Sequence, residues 1–279
     1  MTEACPPDGL DRVLLADVGN SRIKLAVIED HGLDAAGARV SLPRLARRSE
    51  IDIRGLQTRL LRQWLSGAAP GGALVLVASV HDRAAALLEL AIAEESATGR
   101  RSIRQQRVTH ADLPLEVSLA EPHRVGIDRL AAATAATVLV PRGRGVIVVD
   151  CGTAATVDMI DAQGRYLGGA ILPGPVLMAR ALAEGTSKLP EVQSLARDEP
   201  PPMPGGDTRA AIAAGIGWGI RGAIAELVAQ ARRTLGDSAP VIATGGWRRA
   251  VLPALPGAID APDLVLAGIA MAARRHPTV

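Results

Sequence analysis

One pattern of residues occurs twice in this chain, with the two copies about 130 positions apart. In the first copy, LLADVGNSRIKLAV, an apolar run ends at Asp17 and Gly19, and a second apolar run follows. In the second copy, VIVVDCGTAATVDMI, Asp150 and Gly152 hold the same places. Apolar runs separated by Gly-Asn or Gly-Thr predict two strands joined by a tight turn. The chain therefore has a predicted β-hairpin at the same point of two repeated halves.

Strand and helix signals alternate around the two hairpins. Continuous apolar stretches such as GGALVLVASV and APVIATGG predict buried strands. Residues 37–43 are the predicted third strand of the first half, and helices are predicted over 54–66, 175–184 and 207–235. This order predicts a mixed α/β fold.

Composition narrows the class of protein. A length of 279 residues with 48% apolar residues allows two packed domains. The net charge of +2 gives no reason to expect a nucleic acid or a membrane surface as a partner. Two cysteines, Cys5 and Cys151, do not indicate a disulfide framework, the N-terminal residues do not resemble a signal peptide, and no apolar run reaches roughly 18 residues. We expect a soluble cytoplasmic protein.

The first hairpin carries residue types that suit phosphate and its metal ion. Asp17 can hold a hydrated Mg²⁺, and Gly19 lets backbone N–H groups approach a phosphate closely. Asn20 and Ser21 add short donors, and Lys24, one of only two lysines among 31 basic residues, adds a point charge. The alternative is a turn in which Asp and Asn bond their own backbone.

The second hairpin weighs against that alternative. Asp150, Gly152 and Thr153 repeat the same chemistry after an equally apolar strand. Phosphoryl transfer needs mainly positioning and neutralisation of charge. Two such hairpins, one on each side of a triphosphate, would supply both.

Three further motifs have a structural and a functional interpretation. Asp128 in GIDR either complements the dipole of a helix start or acts as a general base, with Arg129 holding an anion. Thr186 is either a cap or turn residue or a substrate contact. The TGG sequence over 244–246 is either a strand-to-helix turn or a surface for an adenosine.

Six motifs in order, DVGNSRIK, GIDR, DCGTAATVD, YLGGAILPG, TSKLP and TGG, resemble those of type III pantothenate kinases from about residue 13 to 273. This family belongs to the acetate and sugar kinase, heat-shock-70 and actin superfamily. The resemblance implies an α/β fold of two ribonuclease-H-like domains with a mixed sheet in each, which we expect over 1–124 and 125–279. It also implies ATP-dependent phosphorylation of pantothenate to 4′-phosphopantothenate, the first step of coenzyme A biosynthesis. Mg²⁺, a monovalent cation (K⁺ or NH₄⁺) and a homodimer are implied with it.

The resemblance assigns roles to individual residues. Asp128 would be the general base, Asp150 would bind the monovalent cation, and Asp17 would hold Mg²⁺ indirectly. Pantothenate would be held by Gly126, Ile127, Asp128, Arg129 and Thr186. ATP would be bound by Asp17, Val18, Gly19, Asn20, Ser21, Arg22, Ile23, Lys24 and Thr153.

The chain departs from the family pattern at the pantothenate pocket. Leu119 stands where a tyrosine is usual, and Glu121 stands where an asparagine is common. Leucine keeps an apolar wall but has no aromatic face or hydroxyl. Two alternatives therefore stay open: a regulatory protein on the same scaffold, similar to the Bvg accessory factors, or a kinase of a related small hydroxyl substrate.

Overall fold

The computed structural model describes residues 12–34, 37–99, 102–192, 195 and 198–273, so that Cys5 lies outside the described residues. The chain divides into two compact units, which we call the first and the second unit. The first unit combines the described residues up to 115 with residues 120–139 and the described residues from 264 onward. The second unit combines residues 116–119 with 140–263.

The first unit is built on a five-stranded mixed sheet. Its strands are β1 (Val13–Val18), β2 (Arg22–Asp30), β3 (Arg44–Asp52), β4 (Gly72–Ser79) and β5 (Ser102–Arg107), in the spatial order β3-β2-β1-β4-β5. β1, β2 and β3 are joined by antiparallel pairs, whereas β4 and β5 add in parallel. The first predicted hairpin is thus the β1–β2 pair.

The second unit repeats this topology. Its strands are β6 (Glu116–Val117), β7 (Val146–Cys151), β8 (Ala154–Ile160), β9 (Arg165–Pro173), β10 (Val241–Thr244) and β11 (Ile259–Asp260). The order β9-β8-β7-β10-β11 matches that of the first sheet, with the same strand directions, and β6 adds beside β9. The predicted α/β class with a mixed sheet in each half and a hairpin at the start of each is confirmed.

Helices cover these sheets with apolar residues that pack into the two cores. They are α1 (Thr58–Ala68), α2 (Asp82–Ala97), α3 (Ile127–Ala136), α4 (Pro175–Gly185), α5 (Thr208–Leu235), α6 (Arg248–Val251) and α7 (Leu264–Ala272). In the first unit, Leu61 of α1 and Leu88 of α2 pack with Val75 of β4 in one core. In the second unit, Ile220 and Ile224 of α5 pack on the core side of β7 and β8.

The division of the chain differs from the expected boundary between residues 124 and 125. α3 lies after that boundary, yet it packs on α7, and α7 packs on β1, β2 and β4 of the first sheet. Small residues make the α3–α7 contact close, because a Cβ on Gly268 would lie 1.9 Å from the carbonyl oxygen of Ala131. Two helices from distant parts of the sequence therefore complete the first unit.

The predicted third strand over 37–43 is wrong. That stretch contains only an isolated bridge between Leu33 and Arg39, and the strand is β3, with the sequence RLARRSEID. β3 lies at the edge of its sheet, where charged side chains can remain in water. Its polar sequence hid it from a search for apolar runs.

Candidate functional site

The first hairpin places an ion pair beside its turn. Asp17 and Lys24 are directly opposite each other on β1 and β2, and Nζ of Lys24 lies 3.6 Å from Oδ2 of Asp17. Asp17 is only 6% exposed. The backbone N–H of Gly19 donates to the carbonyl of Arg22 and closes the turn, leaving Asn20 exposed at its tip. Asp17 and Lys24, two of the three charged residues of the predicted phosphate motif, are therefore brought together.

Strand alternation separates the remaining residues of this motif into two groups. Val18 and Ile23 point into the core of the first unit and are fully buried, so only their main chain can contact a ligand. Arg22 forms an ion pair with Glu50 on β3, with Nη1 2.5 Å from Oε2. Ser21 is exposed beside Asn20. The polar tip and Lys24 are the parts of this hairpin whose side chains suit a phosphate.

Asp128 lies in the first turn of α3, where the helix dipole favours a carboxylate. Its Oδ1 accepts a hydrogen bond of 2.9 Å from the backbone N–H of Arg129. Gly126 precedes the helix, and a Cβ there would lie 2.5 Å from the same oxygen. The carboxylate of Asp128 therefore lies directly against Gly126, where a larger residue would displace it.

The charges of Asp17 and Asp128 act on each other within the first unit. Burial raises the pKa of Asp17, Lys24 lowers it, and the negative charges of Asp128 and Glu50 raise it further. The net result is a pKa above the ordinary value of 3.8. A lysine and two carboxylates near each other provide the groups for binding an anion and accepting a proton.

The second hairpin has a turn lined by the backbone of neighbouring glycines. Gly152 N–H donates to the carbonyl of Ala154, and Gly174 N–H donates to that of Thr153. A Cβ on Gly174 would lie 2.2 Å from the carbonyl oxygen of Gly152. Thr153, predicted to contact ATP, thus lies in a turn that the start of α4 packs against closely.

The TGG sequence joins this hairpin. Thr244 is the parallel neighbour of Asp150, and Gly245 has a φ of +89°, which favours glycine. A Cβ on Gly245 would lie 2.3 Å from Oδ1 of Asp150 and 2.4 Å from the carbonyl oxygen of Cys151. Sequence reasoning treated TGG as a separate motif and missed its contact with Asp150. Parallel pairing of the two strands was the signal that could have indicated it.

Thr186 and Leu119 are the remaining candidate residues for the pantothenate site, and Cys151 follows Asp150 in the sequence. Thr186 is exposed at the C-terminal end of α4, and its hydroxyl donates to the carbonyl of Leu182 at 2.7 Å. Leu119 is 37% exposed, and its Cδ2 would lie 3.4 Å from a Cβ on Gly168. Burial raises the pKa of the Cys151 thiol to about 12, with the charge of Asp150 adding to the effect, so this cysteine is not a nucleophile at neutral pH.

The carboxylates suit ions that keep much of their water. Among the described residues, no group of three or more His, Cys, Asp or Glu side chains forms a metal cage. Mg²⁺ is commonly held by one or two carboxylates together with substrate phosphates and water. Asp17, buried near two further negative charges, fits such an ion. Asp150, next to the carbonyl-rich turn of the second hairpin, offers oxygen donors to a second cation.

The fold is a duplicated mixed sheet with an Asp-x-Gly hairpin in each copy, and a carboxylate lies near the first hairpin. These features define a class of phosphate-binding α/β proteins that are equipped for phosphoryl transfer. A family profile described as type III pantothenate kinase matches residues 13–230. The chain belongs to the type III pantothenate kinase family.

Individual relatives agree with this assignment. A type III pantothenate kinase of Rhodopirellula baltica is 36% identical over 260 residues, covering 88% of this chain and 92% of that protein. One of Alkalilimnicola ehrlichii is 34% identical over 265 residues, covering 94% and 97%. A crystal structure of a conserved putative Baf family transcriptional activator from Campylobacter jejuni matches the fold with a TM-score of 0.55 at 20% identity, covering 95% of this chain and 100% of that one.

Proposed function

We propose that this chain transfers the γ-phosphoryl group of ATP to the terminal hydroxyl of pantothenate, the first step of coenzyme A biosynthesis. The observation that carries the proposal is the position of Asp128, held in the first turn of α3 and close enough to Asp17 for its charge to raise that residue's pKa. Family membership supplies the substrate, and this geometry supplies a base beside a phosphate-binding hairpin.

In this reaction the carboxylate of Asp128 accepts the proton of the pantothenate hydroxyl. The hydroxyl oxygen forms a bond to the γ-phosphorus, the bond from phosphorus to the β–γ bridging oxygen breaks, and ADP leaves. Gly126 and the N–H of Arg129 fix the carboxylate for this step. The side chain of Arg129 pairs with the carboxylate of pantothenate, and Ile127 beside it contacts the same substrate. Thr186 and the apolar Leu119 are contacts of pantothenate that we take from the family resemblance alone.

Each hairpin carries residues that we assign to ATP. Lys24 and the exposed tip of the first hairpin bind phosphate oxygens, and Thr153 binds ATP from the second. Asp17 would hold Mg²⁺ through water, and Asp150 would hold the monovalent cation. When bound, both ions would supply positive charge that neutralises the phosphate oxygens. We also place the enzyme in the cytoplasm, as expected from its composition, and as a homodimer, as the family resemblance implies.

Release of ADP tests this function. The full chain is mixed with ATP, Mg²⁺ and K⁺, with and without pantothenate. We expect ADP release that depends on pantothenate. Steady ADP release without pantothenate would favour a kinase of another substrate. ATP binding without any release would favour the regulatory alternative, for which the observation is Leu119 in place of the usual tyrosine.

Replacement of K⁺ by Na⁺ tests the role of Asp150. We expect the rate of pantothenate-dependent ADP release to fall in Na⁺, because a site selective for the larger ion binds the smaller one less well. Asp150→Asn should reduce the difference between the two salts. Equal wild-type rates in both salts would contradict the proposed cation site at Asp150. They would not contradict the kinase reaction.

A further inference from the structure

The edge strand β3 lies beside the first hairpin at its turn. Glu50 of β3 is opposite Lys24 of β2, and Lys24 is opposite Asp17 of β1, so that negative, positive and negative side chains form one row across three strands. Just beyond β3, the backbone N–H of Ile53 donates to the carbonyl of Ser21 at 3.0 Å. The strand that sequence prediction missed therefore contacts the part of the hairpin that we assign to phosphate.

Glu50 also holds the second cation of this hairpin. Nη1 of Arg22 lies 2.5 Å from Oε2 of Glu50. Within the described part of the chain, this contact through one nitrogen is the only hydrogen bond or ion pair of the Arg22 side chain. Strand alternation puts Arg22 on the same face as Lys24, two residues further along β2. The side of the hairpin that carries Lys24 therefore has a second cation, and a carboxylate occupies it.

The charge of Glu50 extends along the row of side chains. It raises the pKa of Asp17, as the charge of Asp128 does. The same negative charge would repel phosphate oxygens beside Lys24. The guanidinium of Arg22 compensates this charge as long as the ion pair is formed. Glu50 and a phosphate are therefore two anions near one guanidinium.

The Arg22–Glu50 pair can exchange partners easily. The side chain of Arg22 is 38% exposed and that of Glu50 is 52% exposed. Ion pairs this exposed contribute little to stability, because water screens both charges. A phosphate is the stronger partner, since the planar guanidinium can donate two parallel hydrogen bonds to its oxygens. Asn20 and Ser21 directly precede Arg22, so a phosphate bound at the tip would lie near its side chain.

We propose that Glu50 competes with ATP for Arg22. When ATP occupies the first hairpin, the guanidinium leaves Glu50 and binds a phosphate oxygen, and the carboxylate of Glu50 turns to water. Each bound nucleotide thus breaks one ion pair, which lowers the affinity for ATP and favours the release of ADP. The inference rests on the proposed function and names the pair of residues that sets the strength of its nucleotide site.

A purely structural role is the alternative for Glu50. Cross-strand pairs of opposite charge stabilise a sheet without any effect on a ligand. The same two strands have such a pair near their other end, where Nε of Arg44 lies 2.9 Å from Oε2 of Glu29. Glu29 is about as exposed as Glu50, and it lies roughly 23 Å along β2 from Arg22 at ~3.3 Å per residue. Glu29 is therefore the matched control.

Calorimetric titration of the full chain with ATP and Mg²⁺, without pantothenate, tests the proposal. Glu50→Gln keeps the size of the side chain and removes its charge, so that Arg22 binds phosphate without a competitor. We expect the dissociation constant for ATP to fall about threefold to fivefold, the effect of losing one exposed ion pair. Glu29→Gln should leave this constant unchanged. Both variants should melt within about 2 °C of the wild type, because neither pair is buried.

Removal of Arg22 separates the contact from the long-range field of the carboxylate. Arg22→Gln should raise the dissociation constant for ATP about tenfold, because a charged hydrogen bond to phosphate is lost. In that background Glu50→Gln should change the constant less than about twofold, since the residue through which Glu50 acts is absent. An equal decrease with and without Arg22 would make Glu50 a distant charge only and would overturn the proposal.

Two further results would overturn it. One is a Glu50→Gln variant that binds ATP more weakly than the wild type or no differently from Glu29→Gln, as a structural role requires. Pantothenate-dependent ADP release would stand in that case. The other is a wild type that binds no ATP, which would contradict the proposed function as well. A chain with the predicted affinities that leaves pantothenate unphosphorylated would contradict only the proposed function.

Discussion

At the scale of single residues, the proposed reaction depends on two carboxylates with different surroundings. Asp17 is buried beside Lys24, whereas Asp128 is half-buried at the start of α3, with its Oδ1 fixed by one backbone N–H. Burial, with the charges of Asp128 and Glu50, raises the pKa of Asp17 in spite of Lys24. Two acids in different environments can take different roles, one toward the metal and the other toward the proton.

Replacement of Asp128 by asparagine removes the proposed base and keeps its shape. We expect Asp128→Asn to lower the rate of phosphorylation about 10²–10⁴-fold, which is the usual contribution of a positioned general base. ATP affinity should change little. Asp82→Asn is the control, because Asp82 also lies in the first turn of a helix and its side chain is fully exposed. A rate for Asp128→Asn within threefold of that control would exclude Asp128 as the base.

At the scale of elements, the turn between β8 and β9 depends on one aspartate. Asp161 accepts hydrogen bonds from the backbone N–H groups of Gln163 and Arg165, and its Oδ2 lies 2.8 Å from Nε of Arg165. Partial burial pushes the pKa of Asp161 upward, but the hydrogen bonds and charge of Arg165 and the N–H of Gln163 lower it below 3.8. The ionised carboxylate therefore stabilises this hairpin of the second sheet.

Asp161→Asn should lower the free energy of unfolding at pH 7 by about 1–3 kcal/mol, the range for hydrogen bonds to a charged group. Because the native pKa is below the unfolded one, the wild-type advantage is present above pH 3.8 and is lost as the pH falls through the native value. Urea titrations at several pH values measure this difference in the free energy of unfolding between the wild type and Asp161→Asn. Asp198→Asn, whose ion pair with Arg249 is exposed, should have almost no effect. A constant loss at every pH would contradict the electrostatic explanation.

Prediction from sequence succeeded for elements with local signals. Both hairpins follow from an apolar run, an Asp-x-Gly turn and a second apolar run, all within a few residues of each other. β3 was missed because an edge strand can be polar, as its RLARRSEID sequence is. The contact of Gly245 with Asp150 was missed because it depends on parallel pairing of strands far apart in the sequence.

At the scale of the whole molecule, duplication explains the architecture. Two sheets share one strand order, and each places its Asp-x-Gly turn after the equivalent strand. The sequence could not predict which helices belong to which unit. α3 and α7 are apolar on nearly every side, so no pattern in them indicates the sheet on which they pack. Asp128, the proposed base, therefore belongs to the same unit as Asp17, although 110 residues separate them in the sequence.

The most direct test of the central claim is mass spectrometry of pantothenate after incubation with the full chain, ATP, Mg²⁺ and K⁺. We predict a product heavier by one phosphoryl group, which fragmentation locates on the terminal hydroxyl. It should form with the wild type and Asp82→Asn and be reduced about 10²–10⁴-fold with Asp128→Asn. Unchanged pantothenate in the presence of a folded, ATP-binding wild type would contradict the claim.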